Sequence, residues 1–370
     1  MRGHIRKRGN KYAIVVDVGY DDRGKRKQKW FSGYSNKTDA EKDLPGIVAK
    51  LQEGSFIEPT KATVSEFLNE WLKIRQSDLS SNTYDSYCRQ VQNHIIPSIG
   101  QIPLSKLRAM HVQRMMGELE KKNLSKTSIH KAYSVLKAAL KYAYKTDMIA
   151  VNIVDKLDNP KKGEKEMSFW TREEAKLFLE RAKNEELYIF FHLALSTGMR
   201  PGEILGLKWS DIHPEKKTLH VTRSLTRQMH FKSPKTSIGK RYITLDDDTV
   251  SHLKAHRTKQ KEHKMRAGKS YEDNNLVIAT KLGKPVGHRN VLRTWYRIIQ
   301  PLVQQEKVKE IRMYDLRHTH ASMMLSEGVH SKIVSERLGH ASVRTTLDVY
   351  SHITPGIQEE AADKIGSILK

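Results

Sequence analysis

Cysteine is almost absent: Cys88 is the single one in 370 residues. One thiol cannot close an intramolecular disulfide or build a thiolate-rich metal centre, which fits a reducing compartment. Long apolar runs are also missing. No stretch approaches the roughly 18 to 20 consecutive apolar residues of a membrane span, and Met1, Arg2, Gly3 and His4 do not begin an apolar signal-peptide core. A cytoplasmic protein is expected. There is no internal repeat and no low-complexity tract. Acidic residues are outnumbered, 42 Asp and Glu against 66 Lys and Arg, for a formal net charge of +24. So strong a positive balance calls for a polyanion. Nucleic acid fits best, because neutralising phosphates releases condensed counterions; an anionic membrane is the weaker candidate.

The length exceeds one ordinary core and predicts several domains. Up to about residue 58, apolar and polar residues alternate through Tyr12, Ile14, Val16 and Val18 and then turn at Asp21 to Gly24. This pattern predicts a small sheet. The following strand carries Arg23, Lys25, Arg26, Lys27 and Lys29 beside Trp30 and Phe31, either as a solvated edge or, the favoured reading, as a DNA-contacting module. Thr38 with Glu41 predicts a capping box for a helix that Pro45 must kink or shorten.

A linker at Glu58 to Lys61 leads to a second capping box, Thr63 with Glu66, and an all-helical region to about 155. Pro97, Gly100 and Pro103 predict a tight loop there, and Ile129, Tyr133, Leu136, Leu140 and Tyr144 form one helix face, read as core. Lysines scattered over the polar faces suit a clamp on duplex DNA or an ordinary solvated surface equally well. After a polar linker at Asn159 to Lys165, Thr171 with Glu174 caps the first helix of the last region. A buried helix follows at Tyr188 to Leu195. Strands are expected at Thr218 to Val221, Arg241 to Leu245 and Leu276 to Ala279, with mainly helix from about Asn290. The domains predicted are 1–58, 62–158 and 166–370.

The chemistry concentrates in three islands. Ala194 to Ile212 reads ALSTGMRPGEILGLKWSDI, with a helix ending at Gly198 and Pro201 in the first turn of the next. Arg200 is fixed at that junction, where its planar fork suits phosphate oxygens and a helix N-terminus adds a favourable field. Glu203 can orient it, or the two simply make a local ion pair. The other islands are YDLRHTHAS at Tyr314 to Ser322, and LGH at Leu338 to His340 followed by TTLDVYSH at Thr345 to His352.

These islands, in this order, resemble the tyrosine recombinase family, particularly the integrases of phages and integrative conjugative elements of Gram-positive bacteria. The resemblance covers nearly the whole chain. It implies a small N-terminal three-stranded sheet plus helix for arm-type DNA sites, an all-helical core-binding domain and a mixed α+β catalytic domain. It implies that Arg200 and Arg317 hold the scissile phosphate, that His340 adds a hydrogen bond, that Tyr350 is the nucleophile and that Lys235 protonates the leaving 5′ oxygen. Lys232 and Lys240 are rivals for that last role. The implied product is a 3′-phosphotyrosyl link, formed without cofactor or metal by four protomers on two DNA attachment sites in a bacterial host, with a small directionality factor as a further partner. Where the family usually has a histidine, this chain has Tyr314, a poorer base near neutral pH. That departure favours the alternative of a catalytically weak or inactive DNA-binding regulator. A topoisomerase-like enzyme or a chromosome-dimer resolvase fits less well, since neither accounts for the N-terminal sheet.

His318, His320, His340 and His352 lack the HExxH or cysteine pairing of a metal site, and His318 and His320, on what should be a buried helix, read as structural groups or as supports behind the reacting residues. The amphipathic run through Ile357, Ala361, Ile365 and Ile368 suits packing on its own domain or docking on a neighbouring protomer.

Overall fold

A computed structural model describes residues 2–20, 24–53, 60–163, 168–233, 239–340, 342–350 and 365–367. The chain divides into two compact units, Met1–Glu164 and Lys165–Lys370.

In the first unit, β1 (Gly3–Arg8), β2 (Lys11–Tyr20) and β3 (Arg26–Tyr34) form an antiparallel sheet in the order β1-β2-β3. Ile14 lies opposite Phe31 and Val16 opposite Lys29. Ile14, Val16 and Phe31 cluster with Ala40, Leu44, Ile47 and Val48 of α1 (Lys37–Gln52). The expected Thr38 cap is not the one used. Asn36 caps α1, its side-chain oxygen accepting from the Asp39 N–H at 2.8 Å, while Glu41 pairs with Lys37 at 3.2 Å. Asparagine is at least as good a cap as threonine, and it sits two residues earlier. Nor does Pro45 shorten the helix, which runs on to Gln52. Pro45 lies on the exposed side, so water can satisfy the carbonyl its missing N–H leaves free.

The helical part follows. α2 (Val64–Arg75) starts at the expected Thr63/Glu66 capping box. α3 (Ser81–Gln90) continues through a π turn at Val91–Ile95 into α4 (Ile96–Ile99). Pro97 is therefore in a helix rather than a loop, at a first-turn position where proline is tolerated. Gly100 caps the end of this run, and a Cβ there would lie 2.5 Å from the Ile96 carbonyl oxygen. α5 (Ala109–Lys121) and α6 (Lys126–Lys145) complete the set. Ile129, Tyr133, Leu136 and Leu140 are core as expected, but Tyr144 is 49% exposed. By that point the 3.6-residue period has carried the stripe off the packed face.

The second unit opens with α7 (Arg172–Ala182), capped by Thr171 and Glu174 as expected, then the buried α8 (Tyr188–Thr197) and the short α9 (Pro201–Leu205). β4 (Ile212–His213), β5 (Thr218–Val221) and β8 (Arg241–Thr244) form one sheet in that order, and β6 (Ser224–Leu225) pairs with β7 (Phe231–Lys232). The strand expected at Leu276 to Ala279 is not there: Leu276 and Ala279 each make one isolated bridge, to Lys208 and Pro285. Leu276, Val277 and Ile278 are nonetheless buried. A short apolar run signals burial without fixing the element. The remaining helices are α10 (Asp247–Ala267), α11 (His288–Gln304), α12 (Leu316–Ser326), α13 (Ser331–Leu338) and α14 (Val343–Tyr350). Trp170, Phe178, Phe191 and Trp295 pack ring against ring in this core, Trp170 stacked on Trp295 and Phe178 edge-on to Phe191. The Trp170 N–H donates to Thr319 Oγ1 at 3.1 Å, tying the chain's entry into the unit to α12. Among the described residues, no helix is long and apolar enough to cross a membrane.

Candidate active site

The buried helix α8 ends at Gly198, whose φ is +66°. A side chain there would be strained, and its Cβ would lie 2.6 Å from both His320 and Leu338. The chain can then turn to present Arg200 as the N-cap of α9. Glu203 accepts from the Arg200 backbone N–H at 3.0 Å and pairs with its guanidinium at 2.9 Å. The helix-dipole contribution expected there is small, because α9 has only five residues and Glu203's carboxylate already occupies its N-terminal end. Burial works against the Arg200 charge, but Glu203 more than offsets it, leaving the pKa above its ordinary value.

Glu203 does more than pair with Arg200. It is buried and also accepts from Arg241, Nη2 to Oε2 at 2.9 Å. Burial pushes the Glu203 pKa up, and Arg241 followed by Arg200 outweighs it, so the group stays ionised. Arg241 further donates from Nε to the Arg337 carbonyl at 2.7 Å and from Nη1 to the Gly239 carbonyl at 3.2 Å. Arg241 thus joins the start of β8, the junction before α9 and the end of α13. Sequence reasoning missed it. The available signal was strand parity: Arg241 alternates inward with Ile243, an unusual place for a cation without a buried partner.

Arg317, on α12, is 3% exposed. Its guanidinium donates to the Gly198 carbonyl at 2.7 Å and the Leu338 carbonyl at 2.8 Å. Burial and the neighbouring Arg200 charge bring its pKa down to about 10, so it remains a cation at neutral pH. Arg200 reaches the Gly339 carbonyl at 3.5 Å. Gly339, with φ +68°, ends α13, and His340 follows with Nδ1 2.9 Å from Thr346 Oγ1 on α14. Tyr314 stands beside α12, 43% exposed, near enough to Arg200 and Arg317 to favour their charges. Arg200, Arg317, His340 and Tyr314 therefore converge on one place, with two cations whose repulsion an anion would relieve.

His320 is structural, as expected. Its Nδ1 bonds the Leu195 carbonyl at 2.7 Å, and Arg337 Nε donates to its Nε2 at 3.3 Å. Burial and Arg337 hold its pKa down to about 3, while burial, Arg317 and Arg200 hold that of His340 at about 4. Both imidazoles are neutral in the folded protein at pH 7. The unfolded chain takes up these protons below about pH 6.5, whereas the folded protein does so only near pH 4 to 3. Stability should be fully present above pH 6.5 and decline as the pH falls toward 4. The urea midpoint measured from pH 7 to 4.5 should drop steadily, and less steeply in His320→Gln. A flat profile would mean that both histidines are protonated in the fold.

Tyr350 is the last residue of α14, about two turns after its first, Val343. Lys235 lies outside the described residues, in the connection between β7 and β8. Its rival Lys232 is exposed on β7, and Lys240 is exposed next to Arg241. The amphipathic C-terminal run lies outside the described residues except at 365–367, and His352 lies outside them entirely. Of the N-terminal basic set, Arg23 is outside the described residues. Arg26 and Gln28 both bond Asp17, Gln28 at 2.8 Å. Strand parity places Trp30 with Arg26 and Gln28, and Lys27 and Lys29 on the α1-facing side with Phe31. Arg6 lies over the Trp30 ring at 5.5 Å. The basic run is therefore divided between two faces.

Residues 168–356 match the Phage integrase family, residues 63–119 the Phage integrase, N-terminal SAM-like domain, and residues 4–50 an Arm DNA-binding domain. The chain is 28% identical to a tyrosine recombinase XerC-like protein of Caldanaerobacter subterraneus subsp. tengcongensis, over 96% of each chain. It is 24% identical to the ICEBs1 integrase of Bacillus subtilis, over 97% of each. In fold it is similar to the Tn1549 transposon integrase in complex with a circular intermediate DNA (TM-score 0.69, 19% identity, 82% of this chain and 99% of that one). A lambda integrase dimer bound to a COC′ core site is also similar (TM-score 0.60, 19% identity, 94% and 93%).

Proposed function

The chain belongs to the phage integrase family of tyrosine recombinases, site-specific enzymes that cut and rejoin DNA to move mobile elements, and from that premise we propose how its own residues carry the reaction. The Tyr350 hydroxyl gives up its proton to solvent as its oxygen attacks the scissile phosphorus, the bond to the 5′ oxygen breaks, and a 3′-phosphotyrosyl link replaces it. Arg200 and Arg317 neutralise the charge on the non-bridging oxygens, with His340 as a neutral hydrogen-bonding partner. Lys235 gives its proton to the leaving 5′ oxygen. Attack by a 5′ hydroxyl from another strand reverses the step and rejoins the DNA. What supports this reading above all is the convergence of Arg200, Arg317 and His340 around the Gly198 and Gly339 turns. Arg241 and Glu203 act behind them as positioning residues.

Within the same reading, 166–370 cuts, 62–158 grips the core site and 1–58 reads arm-type DNA with Arg23, Lys25, Arg26, Lys27 and Lys29, Trp30 lending its ring on the Arg26 side. Four protomers hold two attachment sites in the cytoplasm of a bacterial host, and a small directionality factor sets the outcome. The test is a nicked suicide substrate from the element's ends. A denaturation-resistant adduct whose DNA-bearing peptide contains Tyr350 is expected. Tight binding without any adduct would favour a DNA-binding regulator.

Tyr314 bears on that alternative. Transfer of phosphate depends chiefly on positioning and charge stabilisation, so the phenol serves as a hydrogen-bond relay and Tyr314→His preserves or raises the cleavage rate. General base catalysis contributes about 10²- to 10⁴-fold, which bounds the gain. A collapsed rate in a folded Tyr314→His protein would give the phenol a necessary role of its own.

A further inference from the structure

Away from the phosphate pocket, α8 and α10 bring together His192, Asp248 and His252, and we infer that these three form a binding site for a divalent ion of the zinc type. Among the described residues they are the one group of three or more His, Cys, Asp or Glu placed to hold an ion. One donor atom from each lies within 4.8 Å of the others. Asp248 and His252 are a helical turn apart on α10. His192, on α8, is buried, and its ring centroid is 4.6 Å from that of His252.

The hydrogen bonds around His192 fix which of its nitrogens carries a lone pair. Thr249 Oγ1 donates its one proton to Asp246 Oδ2 at 2.8 Å. Asp246, the N-cap of α10, also accepts from the Thr249 backbone N–H at 2.8 Å, so both Thr249 bonds end on its carboxylate oxygens. Thr249 Oγ1 must then accept from His192 Nε2, 3.0 Å away, which makes Nε2 the N–H. His192 Nδ1 keeps its lone pair and lies on the side of the Tyr188 hydroxyl. Metal-bound histidines are typically oriented in this way, by an acceptor on the far ring nitrogen.

The spacings around the Tyr188 hydroxyl and between His252 and Asp248 suit a tetrahedral ion better than they suit hydrogen bonds. The Tyr188 hydroxyl is 3.4 Å from His192 Nδ1 and 3.3 Å from His252 Nε2, and His252 Nε2 is 3.4 Å from Asp248 Oδ2. These are long for hydrogen bonds to a hydroxyl or carboxylate. Donor atoms sharing a tetrahedral zinc at about 2.0 to 2.1 Å stand roughly 3.3 to 3.4 Å apart. Two imidazoles and a carboxylate give three ligands, and the Tyr188 hydroxyl or a water completes the fourth position. An ion there would fasten α10 to the helix whose other end presents Gly198 and Arg200. The site does not depend on the assignment of the recombination residues.

The experiment uses the untagged full chain, stripped with EDTA and titrated with cobalt(II) chloride, then with zinc chloride in competition. One equivalent of cobalt should give the intense visible bands of a tetrahedral centre, which zinc abolishes. Zinc should also raise the thermal unfolding midpoint by a few degrees. His252→Ala and Asp248→Asn, whose side chains reach solvent, should weaken binding tenfold or more while keeping the wild-type circular dichroism. His263→Ala, elsewhere on α10, should bind as wild type does. Absence of tetrahedral bands, or equal binding by His252→Ala and wild type, would overturn the site and leave only a hydrogen-bonded cluster.

Discussion

Phenylalanine at position 350 should leave the protein folded, bound to its sites and unable to cut them. The substitution removes one oxygen and no positive charge, so the counterion-driven part of DNA affinity, set by a net charge of +24, is untouched. Covalent catalysis loses the oxygen that forms the ester, and of the side chains that converge with Arg200 and Arg317 only Tyr314 keeps a hydroxyl, which serves there as a hydrogen-bond relay. Adduct on a suicide substrate should fall by more than about 10⁴-fold, to the background of DNA hydrolysis, with unchanged gel-shift affinity. Persistence of the adduct in Tyr350→Phe would refute the assignment and move the nucleophile to another tyrosine.

Arg317→Lys is expected to be nearly as damaging, although it conserves charge. Two of the guanidinium's five N–H groups are spent on the Gly198 and Leu338 carbonyls, at 2.7 and 2.8 Å. Those bonds aim the remaining N–H groups toward the place shared with Arg200. An ammonium cannot satisfy two fixed carbonyls and still present a planar pair of donors to phosphate. Cleavage should drop by about 10²- to 10³-fold, the usual loss for a preorganised charge-stabilising donor, while affinity for a whole attachment site changes little. If single-turnover cleavage by a folded Arg317→Lys enzyme stays within about threefold of wild type, the fork is not what holds the phosphate.

Local rules read this sequence well where the signal was local. The Thr63/Glu66 and Thr171/Glu174 capping boxes are both formed, and Gly198 ends α8 in the left-handed conformation as its position implied. Competition between near-equal signals explains the failures. Asn36 displaced Thr38 as a cap because either residue can satisfy the same orphan N–H groups. Leu276 to Ile278 are apolar because they are buried, and no neighbouring strand turns them into a ladder. At the candidate site, the arginines and His340 stood out because each lies in a motif island. Arg241 and Arg337 were not legible, since their partners are backbone carbonyls and a carboxylate tens of residues away. The His192 cluster escaped for the same reason: its histidines are separated by 60 residues and meet only when α8 packs on α10.

The bonds that aim Arg317 also set a timetable. A ribosome delivers Gly198 first, Arg317 119 residues later and Leu338 21 residues after that. Until Leu338 emerges, Arg317 lacks one of its two anchors, and Tyr350 has yet to be synthesised. The nascent chain already carries many of its lysines and arginines, so it can cling to nearby DNA long before it can break a strand. Spread along the chain in this way, the two anchors of Arg317 and the hydroxyl of Tyr350 are all present only once residue 350 has been made.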